Sequence, residues 1–301
     1  MSVLVTTLRA VLEAADRTFD DGRVSAARAG YVDLLSRAQD RSDPSMETLA
    51  RAMLAICALR LRDRASAEEQ LDASQWRLDS ASVEAQARHR RAAARLSMER
   101  DPREQVLSGL HSYLAWAEDH RIASGVLDAC LLLADLHGPA DRVLWLEHGL
   151  DYARAHDLEQ GLGRAYGLLG STLDQLEQPE QALVAWQQAL ACHERQAQVR
   201  GRVGAGWAAG ELACRLEDWP LARQHLEAAL ALAEGAQDCS DLEPLILGDL
   251  AVVYEAAGDV IEARRLILRA LARAREQELH VFAASRHQRL RAVAKRLDLD
   301  A

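Results

Sequence analysis

Residues 166–190 read YGLLGSTLDQLEQPEQALVAWQQAL. Two apolar stretches at helical spacing flank the break Gln178-Pro179. With Ala182 as anchor, the small Gly170 stands twelve positions upstream, the large apolar Trp186 four downstream, and Leu190 eight downstream. The pattern returns at Ala222, with Gly210, Leu226 and Leu230, and at Ala263, with Ala251, Ile267 and Leu271. Working toward the N-terminus, the frame continues at Ala27, Ala67, Val106 and Arg142, so that the seven anchors are spaced 40, 39, 36, 40, 40 and 41. Twelve upstream of these four stand Ala15, Ala55, Ala94 and Cys130, and four downstream stand Tyr31, Leu71, Leu110 and Leu146. The residue eight downstream is Leu throughout, with Gln75 the exception. An Ala-rich chain matches small positions by chance, but a joint small–large–Leu pattern in register seven times is not a product of composition.

Each unit therefore reads as a pair of antiparallel helices. The breaks between the two helices are Asp20-Asp21-Gly22, Arg62-Asp63-Arg64, Asp101-Pro102, His137-Gly138-Pro139, Gln178-Pro179, Asp218-Trp219-Pro220 and Gly258-Asp259. Pro, Gly and Asp supply turn dihedrals and helix starts at such points. A small residue on the first helix lets the second approach, and the large residue fills the space between helices. One pair cannot bury its whole apolar face, so neighbouring pairs must stack. The expected hairpins span residues 5–40, 46–80, 82–120, 122–156, 160–197, 200–236 and 241–275. A final segment, 276–301, reads as a capping helix, with Arg286, Arg289, Arg291, Lys295 and Arg296 on a polar face and Val281, Leu290, Val293 and Leu297 on an apolar one.

The stretch at 166–190, with LEDWPLARQHLEAAL at 216–230 and YEAAGDVIEARRLILRAL at 254–271, resembles the tetratricopeptide repeat (TPR). The resemblance is clearest over residues 163–275. It implies an all-α, right-handed α-solenoid of about seven hairpins, longer than the usual repeat by about one turn per helix. In that family the first helices line a concave groove in which partner peptides lie.

Composition agrees with a helical chain. Alanine occurs 56 times, aromatic residues make up 4%, and the six prolines are few for 301 residues. Arginine occurs 35 times against a single lysine, Lys295, a skew that resembles high-GC bacterial codon usage. The balance of 36 basic against 46 acidic residues, −10 overall, argues against a nucleic-acid-coating protein. The scattered Cys57, Cys130, Cys192, Cys214 and Cys239 form no CxxC pair and read as buried thiols of a reducing compartment. The N-terminal apolar stretch is cut by Arg9 and Glu13, and the most apolar window, 127–136, contains Asp128 and Asp135. Neither a signal peptide nor a membrane span is expected, and cytoplasmic residence is.

Nothing reads as catalytic. The string from Gly161 to Gly167 has one residue too many for a GxGxxG phosphate loop and follows no strand. The ten histidines form no HxH, HExxH or Cys–His spacing, so no metal or cofactor is expected. The expected activity is binding, and the candidate residues lie on first helices, on the face away from the small packing positions. They are Arg60 in the second repeat; Arg88, Arg91, Arg95 and Met98 in the third; Leu127 and Leu131 in the fourth; Arg164 in the fifth; and Trp207 and Arg215 in the sixth. Residues 82–100 carry five Arg against two Glu, a stripe suited to an acidic or phosphorylated peptide. Trp207 beside Gly204 and Gly167 suggests an anchor pocket. Two functions fit these features: a non-catalytic interaction scaffold, or a signal-sensing module acting with a separate effector chain. Self-association through terminal repeats is compatible with both, whereas membrane and nucleic acid are not expected partners.

Overall fold

The computed structural model describes residues 7–20, 22–276 and 284–299. Among them every regular element is a helix. The chain divides into two compact units, residues 1–159 and 160–301. The first contains α1 (Leu8–Asp20), α2 (Val24–Asp40), α3 (Pro44–Arg60), α4 (Arg64–Gln75), α5 (Val83–Arg100), α6 (Arg103–Asp119), α7 (Ala123–Leu136) and α8 (Pro139–Ala155). The second contains α9 (Leu162–Gln175), α10 (Pro179–Arg195), α11 (Val199–Arg215), α12 (Trp219–Glu234), α13 (Glu243–Ala256), α14 (Val260–Glu276) and α15 (Ala284–Arg296). Val281, expected on the apolar face of the last helix, lies outside the described residues, as does Asp21 in the first turn.

Helix ends follow from local chemistry. Pro44, Pro139, Pro179, Pro220 and Pro244 occupy the first or second helical position, where a missing N–H costs nothing, and Pro102 is the N-cap of α6. Asp43, Asp63, Ser82 and Asp218 accept hydrogen bonds from backbone N–H groups of the turn they start. Many helices end on a residue in the left-handed region: Ser42, Arg62, Arg121, Asp157, Glu177, Ala197 and Glu217 hold φ between 53° and 62°. The next N–H then reaches back five residues, as from Gln178 to the Leu173 carbonyl (3.0 Å) and from Asp218 to that of Ala213 (2.9 Å). This closes the helix and reverses the chain in two or three residues.

Each of the seven anchors is the fourth residue of a second helix, from Ala27 in α2 to Ala263 in α14. The alanine anchors are fully buried. Opposite them the first helix comes so close that a methyl would collide. A Cβ on Gly170 would lie 2.8 Å from Trp186 Cδ1, and one on Gly210 would lie 2.6 Å from Leu226 Cγ. The second helices α2, α6, α8, α10 and α14 run for 17 residues each, which accommodates the long repeat.

Two positions that broke the pattern have separate explanations. Helix α4 is only 12 residues long and ends at Gln75, so no leucine is needed there; the chain turns away through a short 3₁₀ segment, Leu78–Ser80, and α3 packs directly on α5. Arg142 is no packing residue. Its guanidinium donates to the Ala134 carbonyl (3.0 Å) and the His137 carbonyl (3.4 Å), capping the end of α7.

Two glycines of α11 separate helix propensity from packing. A Cβ on Gly204 meets nothing within 4 Å, whereas one on Gly210 meets Leu226. Gly204→Ala is expected to stabilise the protein by up to about 1 kcal/mol. Gly210→Ala should destabilise it by about 1–3 kcal/mol despite the same propensity gain. Urea midpoints of the two variants check the opposite signs.

Candidate functional site

In the first unit the Arg stripe of α5 is largely tied to neighbouring helices. Both terminal nitrogens of Arg88 bind the carboxylate of Asp16 on α1 (2.9 and 2.8 Å), which also accepts the Tyr31 hydroxyl (2.7 Å). Arg91 Nε lies 3.2 Å from Asp128 on α7. Arg90 lies over the Trp116 ring, 4.4 Å from its centroid. Arginines three and four residues apart on one helix repel one another, and carboxylates from the flanking first helices relieve that repulsion. Arg88 and Arg91 therefore act as clasps between helices rather than as a bare cationic stripe.

The other expected residues of this unit separate into surface and core. Arg60 is exposed at the end of α3, 4.5 Å above the Phe19 ring. Partial desolvation of its guanidinium beside the surrounding chain and then the charge of Arg91 lower its pKa, while Cys57 and Asp20 oppose the fall. Arg95 is half-buried on α5, and Met98 packs against the core of α6 and α7. Leu127 and Leu131 are only 3% and 4% exposed. This corrects the expectation that they line an open face: α7 is enclosed on several sides, so its apolar residues face packing partners all round.

In the second unit Arg164 is exposed on α9, and Arg215 forms an ion pair with Asp174 on that helix. Trp207 is half-buried, and its indole N–H donates to Asp249 Oδ2 on α13 (2.7 Å). The other oxygen of Asp249 accepts from Arg289 of α15 (2.8 Å), and Arg289 also binds Glu211 on α11. Three helices thus meet at one buried carboxylate. Burial pushes the Asp249 carboxyl up to about 6; Arg289 opposes the rise, Glu211 adds to it, and the Trp207 hydrogen bond opposes it. Beside this network lies a cleft of about 260 Å³ lined by Trp207, Glu211, Leu245, Gly248, Asp249, Arg289, Leu290 and Val293.

The expected pocket of Trp207 beside Gly204 and Gly167 is not the one found: Gly167 faces Trp186, Gly204 faces open space, and Trp207 lines a cleft with Asp249, which the sequence did not single out. Its one signal is a lone carboxylate in the apolar run of α13, LILGDLAVV, which must find a donor if buried. Among the described residues no three His, Cys, Asp or Glu side chains converge to hold a metal ion, and no helix is long and apolar enough to cross a membrane.

Buried titratable groups give each unit a pH signature. In the first, His89 shares a hydrogen bond with Ser74 Oγ (3.0 Å), and burial, with the charge of Arg90, lowers its pKa to about 4. The unfolded chain takes up this proton first, near pH 6.5, so the stability held at pH 7 is lost on acidification toward pH 4. Going from pH 7 to 5 should cost about 2 kcal/mol through this group, and thermal melts of His89→Asn should show a shallower loss. Asp249 has the opposite sign. Its folded pKa is raised from 3.8 to about 6, so its contribution falls as pH rises through that window and is level above it. The melting difference between Asp249→Asn and wild type should change between pH 4 and 6 and stay constant from 6.5 to 8.

Residues 202–276 match a family model described as the tetratricopeptide repeat. No curated protein matches the chain. Among solved structures, a signal transduction ATPase with numerous domains and a tetratricopeptide repeat sensor, from Pyrococcus horikoshii, has a TM-score of 0.67 at 14% identity; the match covers 94% of this chain and 44% of that one. The apo form of RapI has a TM-score of 0.63 at 12% identity, covering 97% of this chain and 86% of that one. A Rap protein in complex with Competence and Sporulation Factor has a TM-score of 0.51 at 15% identity, covering 97% and 98%.

Proposed function

We propose that this chain, a protein of the tetratricopeptide-repeat type, is a non-catalytic interaction module that docks a segment of a partner protein or a peptide on its first-helix face, and that it works in the cytoplasm. The observation that carries the reading is the placement of Arg60 and Arg91. They come from adjacent first helices, α3 and α5, with Arg60 exposed at its helix end and Arg91 held in place by Asp128. An exposed guanidinium beside a second one fixed in place offers an incoming anion two donor groups. An acidic or phosphorylated segment, extended or helical, fits this end of the module, with Arg95 one turn further along α5 from Arg91.

The fold similarity to a Rap protein solved with Competence and Sporulation Factor supports a ligand-binding role. A second reading, a sensing module that acts with a separate effector chain such as a regulator, kinase or secretion component, draws support from the similarity to an ATPase with a tetratricopeptide repeat sensor. Both readings place recognition on the same helices.

The test uses arrays of acidic, phosphorylated and neutral peptides, followed by titration of the best binder. The Arg60→Ala/Arg95→Ala variant leaves the Arg88–Asp16 and Arg91–Asp128 clasps in place. It should bind acidic peptides at least about tenfold more weakly, and wild-type binding should weaken with salt. Equal binding of neutral and acidic peptides, or an unchanged affinity in the folded variant, would overturn the assignment to this patch.

A further inference from the structure

Helix α15 lies against the same unit that carries the Trp207–Asp249 network, and the manner of its seating is informative. Among the described residues Leu290, Val293 and Ala294 bury, as does Leu297 just beyond the helix end. Leu290 occupies the space that a Cβ on Gly248 would need, so α13 provides a seat for it. Polar ties accompany them. Arg289 spans Glu211 and Asp249, Arg296 pairs with Glu255 (2.9 Å), and Arg264 on α14 donates to the Leu297 carbonyl (2.9 Å).

Charge is strongly segregated across this contact. The helix ASRHQRLRAVAKR carries five basic residues and no acidic one, while Glu211, Asp249 and Glu255 stand on the receiving face. The arginine members of these pairs are about half exposed, so water and salt screen them in part, although Asp249 itself is buried. The fit is also incomplete, because the cleft between Trp207, Leu245, Leu290 and Val293 is left open beside the helix. A short apolar contact, screened ion pairs and unfilled space together describe a helix that can be exchanged for a better one.

We propose that the α13/α14 face, with Glu211 of α11 at its edge, is a receptor for a basic amphipathic helix of a partner protein and that α15 is its resident competitor, released when that partner binds. The inference deepens the interaction-module reading but concerns a different unit and partners of opposite charge, so failure of the Arg60 test leaves it standing, and the reverse. The resident helix shows the recognition pattern: an arginine for the Glu211/Asp249 pair, a leucine next to it for the Gly248 seat, and apolar residues at the spacing of Val293 and Leu297. A tethered helix competes at high effective concentration, so a free helix should bind wild type only weakly until the resident is loosened.

The probe is a fluorescein-labelled peptide with the sequence of residues 284–299, titrated into the full chain by fluorescence anisotropy. Leu290→Ala loosens the resident helix and should raise the affinity for the peptide at least about tenfold over wild type. Arg289→Ala is a second loosening variant, should Leu290→Ala fail to fold. Adding Glu211→Gln and Asp249→Asn on the receptor side should reverse the gain, and a scrambled peptide of equal charge should not bind. The proposal fails if the peptide does not bind either loosened variant while circular dichroism shows it folded. It fails also if the scrambled peptide binds equally, which would mean charge alone. A stable dimer by light scattering, with α15 exchanged between two copies, would overturn the assignment to a partner protein.

Discussion

Close approach within each hairpin is the constraint from which the rest of the structure follows. A small residue on the first helix accepts a large residue from the second, as Gly170 does for Trp186 and Gly210 for Leu226. The anchor alanine one turn before the large residue is buried where the two helices converge. Interiors pack at the density of organic crystals, so a single added methyl at such a position is felt. Repeating the arrangement brings consecutive first helices side by side, α3 on α5 and α11 on α13. Charged groups far apart in the chain are thereby carried within pairing distance.

That proximity changes what the charges do. A chain with 35 arginines and an excess of carboxylates could present them as separate patches. Instead Arg91 reaches Asp128 and Arg215 reaches Asp174 on neighbouring first helices, and Arg88 reaches past α3 to Asp16 on α1. Much of the cationic surface is used internally. The two units resolve the remainder differently: the first leaves Arg60 exposed at the end of α3, and the second buries a carboxylate under a basic helix.

The fold was legible because close packing leaves a mark at a fixed period. Ala27, Ala67, Val106, Ala182, Ala222 and Ala263 announce themselves by spacing, and the prolines and aspartates between helices announce the turns. The two misfits were legible as misfits but not as causes. Gln75 marks a helix that stops early, and Arg142 turned out to cap the helix before it. The candidate site was read less well. Helical spacing says which side of a helix faces away from the small residues, but not what covers that side; Leu127 and Leu131 sat on the chosen face and are buried. The partner of Arg88 is 72 residues distant, beyond any local pattern.

The sequence by itself determined that the chain is helical, where its hairpins turn and which small positions their helices share, because these depend on contacts within one repeat. Only the tertiary structure decided which arginines are clasped, which leucines are covered and where the last helix lies. Those outcomes depend on side chains brought together by stacking, from positions whose separation carries no periodic signal. Asp249 shows the difference most plainly: in the linear chain it is one carboxylate in an apolar run, and only the convergence of α11, α13 and α15 gives it Trp207, Arg289 and a raised pKa.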